Sequence, residues 1–178
     1  MSAVWLCSTA EIPAARLIAT RQMLDEAFEG DFADTDWEHG LGGTHAMVVD
    51  GELVLAHASV VARTISIGTR AARVGYVESV GVTPTRQRQG LGSAVMRAID
   101  EVITAQFELG MLGTGEFDFY ERLGWERWHG STWVLRADGT REPTPDEDGW
   151  IMVLRTDQLR DLDPTLPITC QDRAGDCW

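Results

Sequence analysis

The stretch V-T-P-T-R-Q-R-Q-G-L-G-S-A, residues 82–94, decides the predicted fold and the predicted ligand. It joins an apolar strand to an amphipathic helix through the spacing Q-x-x-G-x-G, formed by Gln87, Gly90 and Gly92. Glycines let a backbone approach a ligand closely, and the N–H groups that open a helix have no partner inside it. Because the helix dipole favours negative charge there, a pyrophosphate is the natural occupant. Taken alone, such a spacing is more often a plain tight turn.

Two familiar phosphate-binding motifs do not fit this bend. A dinucleotide fingerprint requires a leading strand–helix–strand unit, whereas the strands before residue 82 have the pattern of hairpins. A P-loop requires a lysine, and all 15 basic residues of this chain are arginine, which also excludes a lysine Schiff base. Arg86 and Arg88 add positive charge at the bend of a chain whose net charge is −13, which is consistent with a phosphorylated ligand.

Upstream of the bend, periodicity predicts a helix followed by three strands. The helix is expected over residues 13–28, ended by Gly30, and residues 31–43 have the composition of a loop or short helical turns. Strands are predicted over 44–49 and 53–64, joined at Asp50-Gly51, and over 74–82, with a second turn at 65–72. Pro84 closes the third strand, since proline cannot continue a central ladder.

Downstream of the bend, the pattern predicts a helix over 90–104, a strand over 107–112 and a short helix over 116–123, stopped by Gly124. Residues 125–129 and 132–136 have the pattern of an antiparallel pair. Residues 137–149 are expected to form a polar loop, and 151–154 a final strand before an irregular tail. Together these elements predict a mixed α/β fold in a single domain of 178 residues.

Composition narrows the class of partner. The excess of carboxylates argues against nucleic-acid and membrane surfaces, since both are anionic, and favours a cationic small molecule. The alternative is that the acids only keep the chain soluble. The first thirty residues hold no membrane-spanning run and no secretory start, so a cytoplasmic location is expected. The three cysteines and four histidines lack ligand spacing, so we expect free thiols, ordinary core or surface histidines, and no metal.

The order of strand, glycine-bearing bend and helix resembles the acetyl-CoA site of the GNAT N-acetyltransferase superfamily. The resemblance implies a GNAT fold, in which a mixed central sheet splays at the acetyl-CoA site and carries helices on both faces. It also implies acetyl-CoA as co-substrate. The residues implied to line the pyrophosphate are Gln87, Arg88, Gln89, Gly90, Leu91 and Gly92, and the backbone implied to face the pantetheine arm belongs to Val80, Gly81 and Val82.

Further motifs indicate one branch of that superfamily. They are E-G-D-F at 29–32, D-W-E-H-x-L-G-G at 36–43, G-Y-V-E at 75–78, Y-x-x-x-G-W at 120–125 and D-R-A-G-D-C-W at 172–178. This set resembles the aminoglycoside 2′-N-acetyltransferases, which implies acetylation of the 2′-amino group of these antibiotics, antibiotic resistance and a homodimer. The residues implied to bind the substrate are Asp31, Asp36, Glu78, Ser79, Gly113, Thr114, Glu147, Asp176 and Trp178.

The resemblance also implies which groups carry the chemistry. Glu78 would accept a proton from the attacking amine, the backbone N–H of Val80 would polarise the thioester carbonyl, and Tyr120 would protonate the departing thiolate. Transfer would be direct, without a covalent enzyme intermediate. The tail, about residues 165–178, would fold back onto the substrate cleft and contribute the terminal carboxylate of Trp178. Independently of the resemblance, carboxylates lining one pocket would hold a polycation through charge-assisted hydrogen bonds.

The chain departs from the family pattern at two places. Gly113 stands where a serine is expected, in a segment before Tyr120 that is shorter than the family's, and Thr114 is the nearest replacement. Glu147 stands where an aspartate is expected. These departures keep open a different cationic acceptor, such as a polyamine. A non-catalytic protein that binds coenzyme A or cationic drugs is a second alternative, which Glu78 and Tyr120 disfavour.

Overall fold

A computed structural model of the chain describes residues 3–178. The chain divides into two compact units, the first running up to Val61 and from Val77 to Val102, the second covering Ala62–Tyr76 and Ile103–Trp178. None of the helices within residues 3–178 is long and apolar enough to cross a membrane.

The first unit is built on an antiparallel ladder. Strand β1 (Val4–Ser8) pairs with β2 (Thr44–Asp50), and β2 pairs with the first part of β3 (Leu53–Ile67). Gly51, at φ +58°, makes the turn from β2 to β3, which confirms the Asp50-Gly51 prediction. Strand β1 was absent from the prediction.

Helices of the first unit follow the predicted pattern. The helix expected over 13–28 is α1 (Ala14–Ala27), and the acidic segment, residues 31–43, contains the short helix α2 (Asp34–His39). Gly30, at φ +87°, ends the first helical segment, and its N–H donates to the carbonyl of Asp25 over 2.8 Å. Helix α3 (Leu91–Gln106) begins directly after the bend and matches the predicted 90–104.

Helix α1 packs on the strands through two apolar clusters. One contains Met23 and Leu24 with Phe32 and Val54, and the other surrounds Met47. Leu24 also approaches β4 (Arg70–Val82): a β-carbon on Gly81 would lie 2.7 Å from its Cδ2 atom. The absence of a side chain at this glycine lets the helix rest on the strand backbone.

The second unit contains two groups of paired strands. In one group, the first part of β4 runs parallel to β5 (Leu109–Gly113), β5 is antiparallel to β9 (Ile151–Arg155), and β9 is antiparallel to β6 (Glu126–Arg127). In the other, the last part of β3 is antiparallel to β10 (Ile168–Gln171), which is parallel to β7 (Thr132–Leu135); β7 is antiparallel to β8 (Arg141–Pro143). These parallel and antiparallel pairs, flanked by helices, confirm the predicted mixed α/β class.

Two facing glycines let the end of α3 rest on β4 and β5. Gly75 pairs with Gly110, and a β-carbon on either one would lie within 3.1 Å of the side chain of Ile103. The ladder between β4 and β5 runs from Val74–Leu109 to Tyr76–Met111. The short helix that follows, α4 (Phe117–Glu121), lies inside the predicted 116–123, and Gly124 after it has φ +94°.

The predicted turn over 65–72 is wrong. Strand β3 continues to Ile67 and β4 begins at Arg70, so only two residues, Gly68 and Thr69, make the turn. Ile65, Ile67 and Ala72 are buried while the residue between the two isoleucines is exposed. That alternation is typical of a strand with one buried face.

The predicted antiparallel pair over 125–129 and 132–136 is also wrong. The residues between β6 and β7 do not turn back, because the N–H groups of His129 and Gly130 both donate to the carbonyl of Pro164. A β-carbon on Gly130 would lie only 1.9 Å from the Leu166 carbonyl oxygen, so this contact requires glycine. The polar loop over 137–149 contains β8, and the tail contains β10, so the strand at 151–154 is not the final one. The three cysteines are free, as predicted.

Candidate active site

Strand β4 has a kink at Ser79, which has φ +54°. A non-glycine residue in this left-handed region costs about 1–3 kcal/mol and persists only where neighbours hold it. Here β3 holds it: the hydroxyl of Ser59 donates to the carbonyl of Glu78 at 3.1 Å, and Nδ1 of His57 lies 2.7 Å from the carbonyl oxygen of Ser79. The kink changes the direction of the peptide that links Ser79 to Val80.

The acidic segment packs against the same kink. The hydroxyl of Ser79 donates to the carbonyl of Asp36 at 3.3 Å. A β-carbon on Gly40 would lie 2.7 Å from Oγ of Ser79 and 2.9 Å from Oγ of Ser59, so a side chain at the end of α2 would displace both hydroxyls. Val80 and Val82 are half-buried, whereas Gly81 is buried under α1.

The bend over residues 87–92 is open to solvent. Gln87, Arg88, Gln89 and Gly90 are exposed, and Leu91 and Gly92 are half-buried. The backbone turns through two left-handed residues, Arg88 at φ +59° and Gly90 at φ +82°. The N–H of Ala94 donates to the carbonyl of Gly90 at 3.0 Å, so the N–H groups of residues 91–93 precede the first helical partner.

The geometry of this bend suits an anionic group. The N–H groups at the start of the 16-residue helix α3 combine with the positive end of its dipole. Arg86 and Arg88 are exposed on the same bend. Nε of Arg86 donates to the side-chain oxygen of Gln89 at 3.1 Å, which ties the two sides of the bend together.

The two predicted acids of the acidic segment have different surroundings. Asp31 is exposed just before α2. Asp36 is half-buried, and its Oδ2 accepts from the N–H of Ala33 at 2.9 Å, so it closes the N-terminus of α2. Asp34 forms an ion pair with Arg21 at 3.1 Å.

A hollow of about 380 Å³ lies in the second unit. Its lining includes five of the residues predicted to bind substrate: Gly113, Thr114, Glu147, Asp176 and Trp178. It also includes three residues that the prediction missed, Gly115, Asp146 and Trp150. Asp146 is the first of three consecutive acids, residues 146–148, within the predicted polar loop over 137–149. The third acid of that run, Asp148, points elsewhere and accepts from the N–H of Thr132 at 2.7 Å.

Three carboxylates make this hollow anionic. Burial raises the pKa of Glu147, and the negative charges of Asp176 and Asp146 raise it further. Glu147 is therefore close enough to both aspartates to be repelled by their charges. An ammonium group placed among them would relieve that repulsion and donate charge-assisted hydrogen bonds to the carboxylates.

Hydrogen bonds hold the tail to β3 and fix its own conformation. Nη2 of Arg63 donates to the carbonyl of Cys177 at 2.7 Å, and Nε of Arg173 donates to the carbonyl of Asp176 at 2.7 Å. The N–H of Trp178 donates to Oδ1 of Asp176 at 3.0 Å. Trp178 is only 5% exposed, so this residue is a packed part of the second unit.

The two predicted proton-transfer residues lie in different units. Glu78, in the first unit, is half-buried on β4 beside the kink. Tyr120, in the second unit, is buried on α4, where its ring packs edge-on against Trp125 with centroids 6.1 Å apart. Burial on its own is equally expected of a packing tyrosine.

Comparison with known proteins identifies the family. The family described as an acetyltransferase (GNAT) domain matches residues 11–128. The chain is also 40% identical, over 97% of its length, to an aminoglycoside 2′-N-acetyltransferase of Mycolicibacterium fortuitum, of which it covers 90%. The chain belongs to the aminoglycoside 2′-N-acetyltransferase family of GNAT proteins. It is therefore an acetyltransferase.

Solved structures confirm the GNAT fold of this acetyltransferase. Escherichia coli ElaA matches 86% of this chain and 99% of its own, with a TM-score of 0.58 and 17% identity. A GNAT family acetyltransferase of Brucella melitensis, solved with acetyl-CoA, matches 71% of this chain and 84% of its own, with a TM-score of 0.54 and 18% identity. A GCN5-related N-acetyltransferase of Kribbella flavida matches with a TM-score of 0.59 and 22% identity over 72% of this chain; the chain spans 34% of its length.

Gly113 and Thr114 lie where the sequence departs from the family pattern, and the structure shows their surroundings. A β-carbon on Gly113 would lie 3.7 Å from the carbonyl carbon of Trp178 and 3.8 Å from Ile151, which is ordinary contact. A serine would therefore fit here without moving the backbone. The hydroxyl of the neighbouring Thr114 is engaged, since it accepts from the N–H of Glu116 at 2.9 Å.

Two histidines form a buried pair in this acetyltransferase. His45 and His57 are 1% and 0% exposed and contact one another over 2.8 Å. Burial lowers the pKa of His45 to about 4 and that of His57 to about 3, so both rings are neutral at physiological pH. Sequence spacing offered no sign of this pair. Their contact depends on the register of β2 and β3, in which His45 faces Ser59 and Met47 faces His57.

Proposed function

We propose that this chain transfers the acetyl group of acetyl-CoA to the 2′-amino group of aminoglycosides. The observation that carries the proposal is the 40% identity, over nearly the whole chain, to a relative bearing that name. The anionic hollow supports it, because aminoglycosides carry several ammonium groups that suit a pocket lined by Asp146, Glu147 and Asp176.

Acetyl-CoA would be held at the bend between β4 and α3. The exposed backbone of residues 87–92 and the N–H groups that open α3 suit its pyrophosphate, with Arg86 and Arg88 supplying positive charge. The backbone of Val80, Gly81 and Val82 would face the pantetheine arm. The bound co-substrate supplies a thioester, whose carbonyl carbon is open to attack by an amine.

The aminoglycoside would be recognised mainly by carboxylates. In the first unit, Asp31, Asp36 and Glu78 would contact ammonium or hydroxyl groups, with Ser79 beside them. Since one oxygen of Asp36 closes α2, its other oxygen would contact the substrate. In the second unit, the residues assigned to the acceptor line the hollow: Gly113, Thr114, Glu147, Asp176 and Trp178.

The chain's own groups suffice for direct transfer. Glu78 would accept a proton from the attacking amine, directly or through water. The N–H of Val80 would donate to the thioester oxygen as negative charge develops, a contact that contributes on the order of 3 kcal/mol. Tyr120 would donate its phenolic proton to the departing sulfur. A homodimer and a cytoplasmic location complete the proposal.

A thiol-release assay tests this function. The purified protein is given acetyl-CoA together with aminoglycosides that carry either an amino or a hydroxyl group at the 2′ position. We expect coenzyme A release only with the 2′-amino compounds. Equal release with the 2′-hydroxyl compounds would remove the regiochemical assignment, and release only with simple polyamines would replace the substrate class.

A further inference from the structure

A continuous series of hydrogen bonds leads from the loop after α2 to the kink of β4. The N–H of Gly42 donates to Oγ1 of Thr9 at 2.8 Å, and Oγ1 of Thr9 lies 2.7 Å from Nε2 of His45. Nδ1 of His45 lies 2.8 Å from Nε2 of His57, whose Nδ1 lies 2.7 Å from the carbonyl oxygen of Ser79. Three side chains thus connect the loop after α2 to the backbone of β4.

Placing the hydrogen atoms gives this series of hydrogen bonds a single direction. The carbonyl of Ser79 can only accept, so Nδ1 of His57 carries the hydrogen. A neutral His57 then accepts at Nε2, which requires the hydrogen of His45 to be on Nδ1. His45 in turn accepts at Nε2 from the hydroxyl of Thr9 at 2.7 Å, which is nearer than the other acceptor of that hydroxyl, the Gly43 carbonyl at 3.4 Å. Each ring is therefore the Nδ1–H tautomer, and the low pKa values of both histidines agree with this neutral arrangement.

The last bond of the chain orients a peptide group. In a trans peptide, the C=O of one residue and the N–H of the next point in opposite directions, and residues 3–178 contain no cis peptide bond. Holding the carbonyl of Ser79 against His57 therefore turns the N–H of Val80 away from His57. Because Ser79 has a positive φ, its carbonyl no longer follows the regular pleat of the strand. A partner outside the strand ladder is then needed to set its direction.

We propose that Thr9, His45 and His57 are positioning residues that fix the peptide between Ser79 and Val80 and so aim the Val80 N–H. The inference rests on the proposed function, which assigns this N–H to the thioester oxygen. Oxyanion donors act only when their direction is set in advance. The carbonyl before this peptide is held in the same way by Ser59, which projects from the same face of β3 as His57.

The first test reads the hydrogen positions in the wild-type protein. Nitrogen-15 spectra of the labelled histidines at neutral pH report which ring nitrogen of each carries the hydrogen. We expect two Nδ1–H tautomers, those of His45 and His57, assigned by their loss in His45→Gln and His57→Asn. Nε2–H tautomers at these two residues would rule out the relay, meaning the hydrogen bonds from Thr9 through His45 and His57 to the carbonyl of Ser79, whatever the substrate of the enzyme.

The second test compares kinetics of matched variants. His57→Leu keeps a side chain of similar size and removes the donor, whereas His57→Asn keeps an N–H donor at the Nδ1 position. We expect His57→Leu to lower kcat by at least about tenfold, approaching the roughly 100- to 1,000-fold that loss of an oxyanion donor costs. KM for acetyl-CoA should stay within about twofold. His57→Asn should recover part of kcat, and equal losses in both variants would overturn the proposal.

Thr20→Val is the matched control. Thr20 is 1% exposed and its hydroxyl donates to the carbonyl of Arg16 at 2.8 Å, so the substitution removes a buried hydrogen bond that does not reach β4. Its kcat should match the wild type.

If His57→Leu does not fold, Thr9→Val removes the far end of the relay and should lower kcat several-fold without changing KM. An unchanged kcat in Thr9→Val would contradict the proposal. Inactivity of the wild type toward every aminoglycoside would overturn the proposed function instead, while the tautomers still decide whether the relay exists.

Discussion

The indole Nε1 of Trp178 donates a hydrogen bond to the hydroxyl of Thr144, 3.1 Å away. Thr144 lies three residues before Glu147, so this bond ties the tail to the segment that carries the acids of the hollow. The hydroxyl of Thr144 is 2.8 Å from that of Thr132, which is buried on β7. The position of Trp178 is therefore set by the strands of the second unit.

Trp178→Phe should weaken aminoglycoside binding while the protein stays folded. The ring keeps most of the packing, but the hydrogen bond to Thr144 is lost, so the wall of the hollow becomes less well ordered. We expect KM for the aminoglycoside to rise by up to roughly tenfold, since a net hydrogen bond contributes about 0.5–1.5 kcal/mol. Calorimetric titration and steady-state kinetics measure it.

Trp133→Phe is the control for this substitution. Trp133 also donates from its indole, to the hydroxyl of Ser131 at 2.9 Å, but it does not line the hollow. Its aminoglycoside affinity should equal that of the wild type. Full affinity in Trp178→Phe as well would separate the tail from substrate binding.

Tyr120→Phe should lose turnover and keep acetyl-CoA affinity. The phenyl ring can still pack against Trp125, but no proton donor remains at that position. General acids contribute about 100- to 10,000-fold, and kcat should fall within that range. Tyr76→Phe, the other tyrosine position, provides a comparison without a proposed proton-transfer role. An unchanged kcat in Tyr120→Phe would remove this residue from the mechanism.

Glu147→Gln should stabilise the free protein near neutral pH and weaken polycation binding. Because the folded chain raises the pKa of Glu147, it holds that proton more tightly than the unfolded chain does, and stability falls as pH rises above the ordinary value of 4.5. Glutamine removes this unfavourable charge. It also removes one ammonium contact, so affinity should fall by roughly tenfold or more, given about 1.5–3 kcal/mol for a charge-assisted bond.

Thermal unfolding and binding at pH 7 measure both effects of Glu147→Gln. Asp161→Asn, which makes the same change in net charge at an exposed site outside the hollow, is the control. It should change neither quantity. A Glu147→Gln protein that binds the polycation as tightly as the wild type would exclude this carboxylate from recognition.

The buried histidine pair should make the protein sensitive to mild acid. His45 and His57 stay neutral in the folded chain down to about pH 4 and about pH 3, whereas an unfolded histidine binds a proton near pH 6.5. Between these values the unfolded chain binds more protons, so the free energy of unfolding falls as pH drops below 6.5. Each histidine contributes up to about 1.4 kcal/mol per pH unit.

Urea unfolding between pH 6.5 and about 5, above the range where most carboxylates titrate, measures this slope. His57→Asn should flatten it, because one of the two neutral rings is gone. His129→Gln, at an exposed histidine, should leave it unchanged. Equal slopes in the wild type and His57→Asn would show that burial of this ring does not make the free energy of unfolding depend on pH.

Sequence patterns correctly predicted those helices and turns that depend only on residues close together in the sequence. The apolar period of α3, the glycine after α1 and the Asp50-Gly51 turn act over a few residues, and all three were confirmed. Strand partners were less predictable. The chain after Trp128 does not turn back because Gly130 accommodates the carbonyl of Leu166, a contact between residues 36 positions apart that only the folded chain creates.

The sequence by itself determined the family, the exposed phosphate-type bend and the residues proposed for catalysis, because these follow from short motifs and helix-end chemistry. Only the tertiary structure decided that the acids at 146, 147 and 176 share one hollow, and that His45 and His57 connect Thr9 to the kink at Ser79. Both arrangements depend on strand register and on the path of the tail. Register is set by packing over the whole unit, so no local pattern encodes it.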